Sequence, residues 1–365
     1  MQDKVLIIIP VLNGENILGD TLEKIKELDY LDWCVFIDDC STDNTLSILR
    51  SWESQLSGVY ALEKNGQKIG SIKKVLNRLS EEGKLTEYVV LTDADTFIYN
   101  HNTKDAISRT VGYMEQEGLE AVGLKDVPFG DSFIQRLQYW EYISDRAMHV
   151  FLSRKKHMRC IPGAGGVYKS KALLEVLESH SLRHAGDDME TTAIIQKLGY
   201  KVGYFSSDIE ARTLVPRSFQ KLAKQRIRWT IGAMETYIKE RNFYFSMIFH
   251  GNRYGYQILY ETLKLLTYAG WYYALVVNPV WNIAVGYGAT FTMAFILFMI
   301  TPESQGLRLR GSVWIVPTSL MIFIVDIVRL PVAYIVVIYN SFPVLEATTD
   351  WADVVKYPIG LPVGS

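Results

Sequence analysis

The stretch LTDADTFI, residues 91–98, closes an apolar run with two carboxylates one residue apart. Asp93 and Asp95 stand where a buried strand would otherwise continue. Like charges this close disfavour joint ionisation unless something positive compensates them, and the simplest compensation is a metal ion. Working outward from this point, the same arrangement recurs. KVLIIIP (4–10) is a short apolar run ended by the turn NGEN and followed by TLEKIKEL at helical spacing. CVFIDD (34–39) is followed by STDNTLSILRSW, and YVVLTDAD by a polar helix over Thr103 to Glu117. Strands alternating with helices predict an α/β fold with a mostly parallel sheet and flanking helices. Ligands in such sheets bind beyond the carboxyl ends of the strands. Each unit ends there in polar residues: Asn13 and Glu15, Asp38 and Asp39, Asp93 and Asp95.

A divalent cation held by one or two carboxylates, with phosphate oxygens completing its shell, is the usual magnesium arrangement, so the ligand is expected to carry a diphosphate. The plainer account of Asp93 and Asp95 is a turn, with Asp95 capping a helix start. Taken alone, the DxD pattern divides evenly between the two.

The charges are unevenly placed. Of 365 residues, 48% are hydrophobic, and from Leu265 to Ile300 there is no Asp, Glu, Lys or Arg. Between Gly311 and Glu346 only Asp326 and Arg329 are charged. The first part reads as soluble and the last as membrane. One helix of 36 residues, Leu265 to Ile300, would span ~54 Å, too long for a hydrocarbon core of ~30 Å. Asn278 and Pro279 break the run, which predicts spanning segments over Tyr256–Val277 and Val280–Ile300, and a third over Ser312–Tyr339. The loop TPESQGLRLRG carries Arg308 and Arg310, which places it, and the N-terminal domain with it, in the cytoplasm. Core helices of a large soluble fold are the less favoured reading. Asp326 and Arg329 are neighbours on one helix face, set to neutralise each other or to face a polar path. No signal peptide is read before Val5, and Cys34, Cys40 and Cys160 have no zinc-like spacing, as reduced thiols of a cytosolic domain would not. Four regions result: a catalytic domain over 1–212, an amphipathic interfacial region over 213–255, membrane helices over 256–340 and a tail over 341–365.

Six motifs occur in order: IIIPVLNGEN, FIDDCSTDNT, LTDADTF, PGAGGVYKSKAL, AGDDMETT and QRIRW. In this order they resemble the family 2 glycosyltransferases with a GT-A fold, and more closely the membrane-integrated processive members, the hyaluronan, chitin and cellulose synthases. By that resemblance, Asp38 and Asp39 look like the pair near the uracil and ribose of a UDP-sugar, and Lys68 in NGQKIGS like a lysine that reaches the nucleotide. Asp93 and Asp95 resemble the DxD motif, with Asp95 the better ligand for Mg2+ or Mn2+ and Asp93 close to the nucleotide. Gly163, Gly165 and Gly166 fall in the segment that shapes the acceptor site. Asp188 matches the last residue of the TED motif, whose aspartate is the general base, with Asp187 beside it on the acceptor side. Gln225, Arg228 and Trp229 match QxxRW. The chain departs from the pattern where Gly186 and Asp187 replace the Thr and Glu of TED, so the choice of base rests on Glu190 and Thr191 following Asp188 as in the family's run. The N-terminal spanning segments of many members, and any further regulatory domain, are not expected here.

The chemistry calls for these residue types. Displacing UDP builds charge on the leaving phosphate, which a metal and cations stabilise. The acceptor hydroxyl loses its proton to a carboxylate whose pKa is raised by burial and neighbouring acids; Asp187, Asp188 and Glu190 form such a neighbourhood. One displacement inverts the anomeric centre. The plainer reading of GDDMETT is a helix start with acids favoured by the dipole. Around QRIRW, VPRSFQKLAKQRIRWTIGAMETYI reads as a basic amphipathic helix on the membrane surface, with Lys221 and Lys224 there for interfacial packing. Arg228 is suited to gripping diphosphate and Trp229 to stacking on a sugar.

Three functions compete: a β-glycan synthase extending a polymer, a transferase adding one sugar to a lipid as ceramide glucosyltransferases do, and an inactive transporter or scaffold. The expected partners are a UDP-sugar, a glycan or lipid acceptor and membrane lipids, with nucleic acid not among them. Three spanning segments offer few walls for a pore, so export would take a homo-oligomer or not occur.

Overall fold

The computed structural model describes residues 4–341 apart from 155, 183–185, 250–254, 256–257, 260–262, 264–269 and 301–307. Its first part alternates β1 (Val5–Val11), α1 (Glu15–Glu27), β2 (Cys34–Asp38), α2 (Thr45–Trp52), β3 (Gly58–Ala61), α3 (Gln67–Glu81), β4 (Tyr88–Leu91), β5 (Thr96–Tyr99) and α4 (Thr103–Glu117). There follow β6 (Ala121–Phe129), α5 (Phe133–Ser153), β7 (Gly166–Lys169), α6 (Ser170–Ser179), α7 (Asp187–Lys197) and β8 (Val202–Leu214). The C-terminal part is helical: α8 (Phe219–Lys239), α9 (Arg241–Phe249), α10 (Pro279–Ile300) and α11 (Arg308–Ser341).

The eight strands form one sheet in the order β3-β2-β1-β4-β7-β6-β8-β5. Its first four strands are parallel, as the alternation predicts. Beyond β4 the expectation of a mostly parallel sheet fails. β7 runs antiparallel to both β4 and β6, β8 is parallel to β6, and β5 is antiparallel to β8. The physical reason is that β7 is entered from the carboxyl edge of the sheet, where the loop before it has already crossed. In β1, Val5, Ile7, Ile9 and Val11 point to one buried face and Leu6 and Ile8 to the other. A strand buried on both faces is what an unbroken run such as VLIII implies.

Asp95 caps no helix. Its backbone carbonyl accepts from Leu214 N (3.2 Å), and the chain continues into β5. The cap in this stretch is Asn102, whose side chain accepts from Asp105 N and starts α4.

Two helices are long and apolar enough to cross a membrane by length and composition: Pro279–Met299, with mean hydropathy 1.5, and Val313–Val337, with 2.3. They match the second and third expected segments. Half of the first, Tyr256–Val277, lies outside the described residues, as do 301–307 of the arginine-bearing loop and all but the first residue of the tail. Helix α11 does not stand clear of α5 and α8. Its Ile315 clusters with Trp140 and Ile143 of α5, its Met321 and Val325 with Leu222 of α8, and its Ala333 and Val337 with Ile231 and Met234 at the other end of α8. Asp326 and Arg329 neutralise each other, Arg329 Nε lying 2.7 Å from Asp326 Oδ1.

Candidate active site

The site forms at the carboxyl edge of the parallel strands. The register sets Val11 opposite Asp38 and Leu91 opposite Gly166, so the acidic end of β2, the DxD turn after β4 and the glycine run before β7 share one rim. Asp38 and Asp39 are both buried. Asp39 Oδ1 accepts from Gly66 N (2.6 Å), at the N-cap of α3. Burial pushes the Asp39 carboxyl up, only partly offset by that bond and by Lys74. Asn13 and Glu15 play a different part from the one their place on the rim suggested. Asn13 Oδ1 accepts from Thr42 N (2.9 Å) and Glu15 Oε2 from Asn44 N (3.0 Å), lacing the β1–α1 turn to the β2–α2 turn.

In the first turn of α3, Lys68 is the hub. Its ammonium forms an ion pair with Asp93 and donates to Gly163 O (3.2 Å). Burial alone would lower its pKa, but Asp93, Asp187 and Asp188 outweigh that and hold it above the ordinary lysine value. Asp95, beside Asp93, has its carboxyl pushed up by burial and by the Asp93 charge, with Thr96 Oγ1 donating to Oδ1 (3.2 Å) in partial relief.

The glycines of PGAGG are required by close approach. A Cβ on Gly163 would stand 3.2 Å from Lys68 Nζ and 3.3 Å from Asp188 Cβ, and one on Gly165 only 2.7 Å from Ala211 Cβ of β8. The backbone therefore passes directly between the lysine and the acid of α7. Asp188 sits in the first turn of α7, which is stitched to the preceding loop by Thr192: its hydroxyl donates to Asp188 O (2.7 Å) and accepts from Ile161 N (2.8 Å). Burial and Asp187 raise the Asp188 pKa, against Lys68 and a hydrogen bond from the Cys160 thiol. Such a carboxylate is a competent proton acceptor for a hydroxyl.

Glu190, grouped with these acids in the sequence reading, faces elsewhere. Fully buried, it accepts from Ser181 N (3.0 Å) and Ser181 Oγ (2.5 Å), pairs with Lys239 of α8 and lies 3.6 Å from His180 Nε2. It fastens α7 to α8 and to the loop between α6 and α7.

Helix α8 reaches the site through Gly232, whose backbone abuts Gly186, the N-cap of α7; a Cβ on Gly186 would lie 2.6 Å from Gly232 O. Arg228 is one turn earlier on that face and exposed. Gln225 accepts from Arg226 Nη1 (2.9 Å), and Trp229 is 41% exposed. No direct bond joins Gln225, Arg228 or Trp229 to Asp93 or Asp188 among the described residues. The residue the sequence reading missed is Arg226. It is buried, donates to Glu141 Oε2 of α5 (2.8 Å) and lies 4.3 Å from the Trp229 ring centroid. Its alternation with Arg228, two positions apart on opposite faces of the helix, was the available signal.

Among the described residues no three His, Cys, Asp or Glu side chains converge on one point. Asp93 and Asp95 alone therefore fit a cation that takes its other ligands from a diphosphate, and their oxygens suit Mg2+ or Mn2+. The surplus negative charge that pushes Asp95 up is what such an ion would relieve.

Comparison with known proteins bears on the fold. Poly(ribitol-phosphate) beta-N-acetylglucosaminyltransferase TarS of Staphylococcus aureus is 31% identical over 107 residues, which is 28% of this chain and 18% of that protein's length. The solved mannosyltransferase PcManGT from Pyrobaculum calidifontis, in complex with GDP-Man and Mn2+, superposes with TM-score 0.53 at 16% identity, covering 93% of this chain and 88% of that one. The S. aureus TarS fragment 1–349 solved with UDP gives TM-score 0.44 at 16% identity, over 95% and 94% of the two chains. The PcManGT likeness is one of fold. Residues 6–176 match the family model described as glycosyl transferase family 2.

Proposed function

We propose that this chain is an inverting glycosyltransferase that moves a sugar from a UDP-sugar to a hydroxyl of a glycan at a membrane, with Asp188 as general base. The observation that carries this reading is Lys68, which ties the DxD turn to the base: one ammonium lies against Asp93, the Gly163 carbonyl and the field of Asp187 and Asp188. The donor lies over Asp38 and Asp39, its diphosphate toward Asp93, Asp95 and Lys68. Asp95 and Asp93 would hold a Mg2+ or Mn2+ ion, which would supply positive charge to the departing diphosphate. Lys68 adds a fixed cation on the same side, and Arg228 a guanidinium suited to paired phosphate oxygens. The acceptor enters over Gly163–Gly166, beside Asp187, with Trp229 as a platform for its sugar face. Asp188 takes the hydroxyl proton while that oxygen attacks the anomeric carbon from the side opposite the leaving group. The anomeric configuration inverts, giving a β-linkage from an α-linked donor.

A polymer acceptor is preferred to a lipid because the S. aureus relative acts, by its name, on a poly(ribitol-phosphate), and because Trp229 presents an open aromatic face. Purified full-length chain in lipid, given a panel of UDP- and GDP-sugars with Mg2+ or Mn2+, tests the whole reading. A ladder of products from a UDP-sugar is expected. A single lipid-soluble adduct would replace the glycan acceptor, preference for a GDP-sugar would replace the donor, and no transfer to any acceptor would overturn the enzyme.

A further inference from the structure

The two apolar helices raise a question of orientation that their hydropathy leaves open. Helix α11 has two opposed stripes. One is packed along the catalytic part for most of its length: Ile315 against α5, Met321 and Val325 against one end of α8, Ala333 and Val337 against the other. The opposite stripe, Val313, Val316, Leu320, Ile324, Val328, Val332 and Ile335, is exposed and entirely aliphatic. Its spacing of three and four residues keeps it on one face over ~33 Å. Within the apolar span Val313–Val337 of this helix the two charges, Asp326 and Arg329, are paired with each other, and Asp326 is buried.

An upright α11 is hard to reconcile with this packing. Helix α8 lies beside α11 from Leu222 to Met234, and α8 carries Lys221, Lys224 and Arg228 exposed on its far side. Were α11 to cross a hydrocarbon core of ~30 Å, those charges would be carried into it, where nothing among the described residues pairs with them. A helix lying flat avoids this, because its outer stripe enters the lipid by ~5–10 Å while α8, stacked behind it, stays at the level of water and headgroups.

We infer that α10 and α11 form a raft lying in the plane of one leaflet, which seats the catalytic domain on a lipid surface without crossing the bilayer. Helix α10 adds apolar surface round most of its circumference, with Val280, Ile283, Val285, Phe295 and Ile296 exposed. Tyr273 and Trp281, both exposed, flank the Asn278 turn, and aromatic rings with a polar edge favour the lipid–water boundary. A lipid fits this face better than a second copy does. Protein interfaces carry roughly one hydrogen bond per 100–200 Å2, and the α11 stripe offers no side-chain donor or acceptor to set a register.

The test uses the full chain with Asn278→Cys in sealed vesicles, labelled by a membrane-impermeant maleimide and read by mass spectrometry. Cys40, in the catalytic domain, marks the side on which that domain lies. The raft requires Cys40 and the thiol at 278 to label from the same side. Labelling at 278 from the opposite side only, or from neither, overturns it. As a second arm, Leu320→Glu with Ile324→Glu should lower the vesicle-bound fraction about tenfold with secondary structure retained. Unchanged vesicle binding with loss of a dimer would assign the face to a second copy and overturn the lipid seat.

Discussion

Replacing Lys68 with methionine removes a positive charge that the base feels. A Cβ on Gly163 would stand 3.2 Å from Lys68 Nζ and 3.6 Å from Asp188 Oδ2, so the two charged atoms are no more than about 7 Å apart. At an effective dielectric of about 20, 332/(εr) gives about 2.4 kcal/mol at that distance. The lysine side chain is 31% exposed, and solvent screening cuts this to about 1–2 kcal/mol, or about one unit of pKa. The sign follows from the direction of the shift. Burial and Asp187 raise the Asp188 pKa and Lys68 lowers it, so without Lys68 it rises further. The base works deprotonated, and activity is lost as pH falls through its pKa. Lys68→Met should therefore move the acid limb of the kcat/KM profile up by about one pH unit, measured by initial rates from pH 4 upward. It should also raise the donor KM, because Asp93 loses its cation. Lys68→Arg keeps the charge and should leave the limb close to its original place. If Lys68→Met raised the donor KM while the limb stayed fixed, the coupling between this lysine and the base would be refuted.

Asp95→Asn should abolish Mn2+ binding, followed by the ion's electron paramagnetic resonance signal, with an unchanged thermal midpoint. Retained binding would move the metal off the DxD turn. Glu190→Ala leaves Lys239 without its buried partner and should destabilise the chain by about 3 kcal/mol, read as a lower denaturant midpoint. Asp188→Asn should by contrast stop turnover with stability nearly kept; an equal stability loss in both would put Asp188 in a structural role. Arg226→Gln removes the cation over Trp229 and should raise the acceptor KM about fivefold at constant donor KM, with a change in tryptophan emission, since a stack of this kind is worth ~1 kcal/mol. Rescue by Arg226→Lys should be partial, because the ammonium lacks the planar fork that reaches both Glu141 and Gln225.

Strands β1, β2 and β4 of the parallel half were legible because they are buried on both faces, and β1 and β2 because each is followed by an amphipathic helix; β3, only partly buried, was not. Helix α4 begins and ends where its spacing says, since Asn102 caps its start and Gly118 takes the left-handed conformation at its end. The antiparallel half was not legible. GVYK in β7 reads the same in either direction, and only the long path through α5 determines how it enters. In the site, Asp93, Asp187, Asp188, Lys68 and Gly163 come together as the motifs implied. Glu190 did not, because residues two apart on a helix face apart, and α7 turns Asp188 to the rim while it buries Glu190. The same geometry hid Arg226. QRIRW places two arginines on opposite faces, and the partner that selects the buried one, Glu141, lies 85 positions away.

The contact between Gly186 and Gly232 bears on how the chain can drift over evolutionary time. Gly186 occupies the place where the motif it resembles has threonine, and its backbone is in a conformation open to any residue, with φ −118°. The constraint is steric: the place of the missing side chain is filled by the backbone of α8 at Gly232. Position 186 cannot change without pushing the two helices apart. In a lineage of close descendants the glycine at 186 should therefore persist, and a threonine there should be accompanied by a wider separation of α7 and α8.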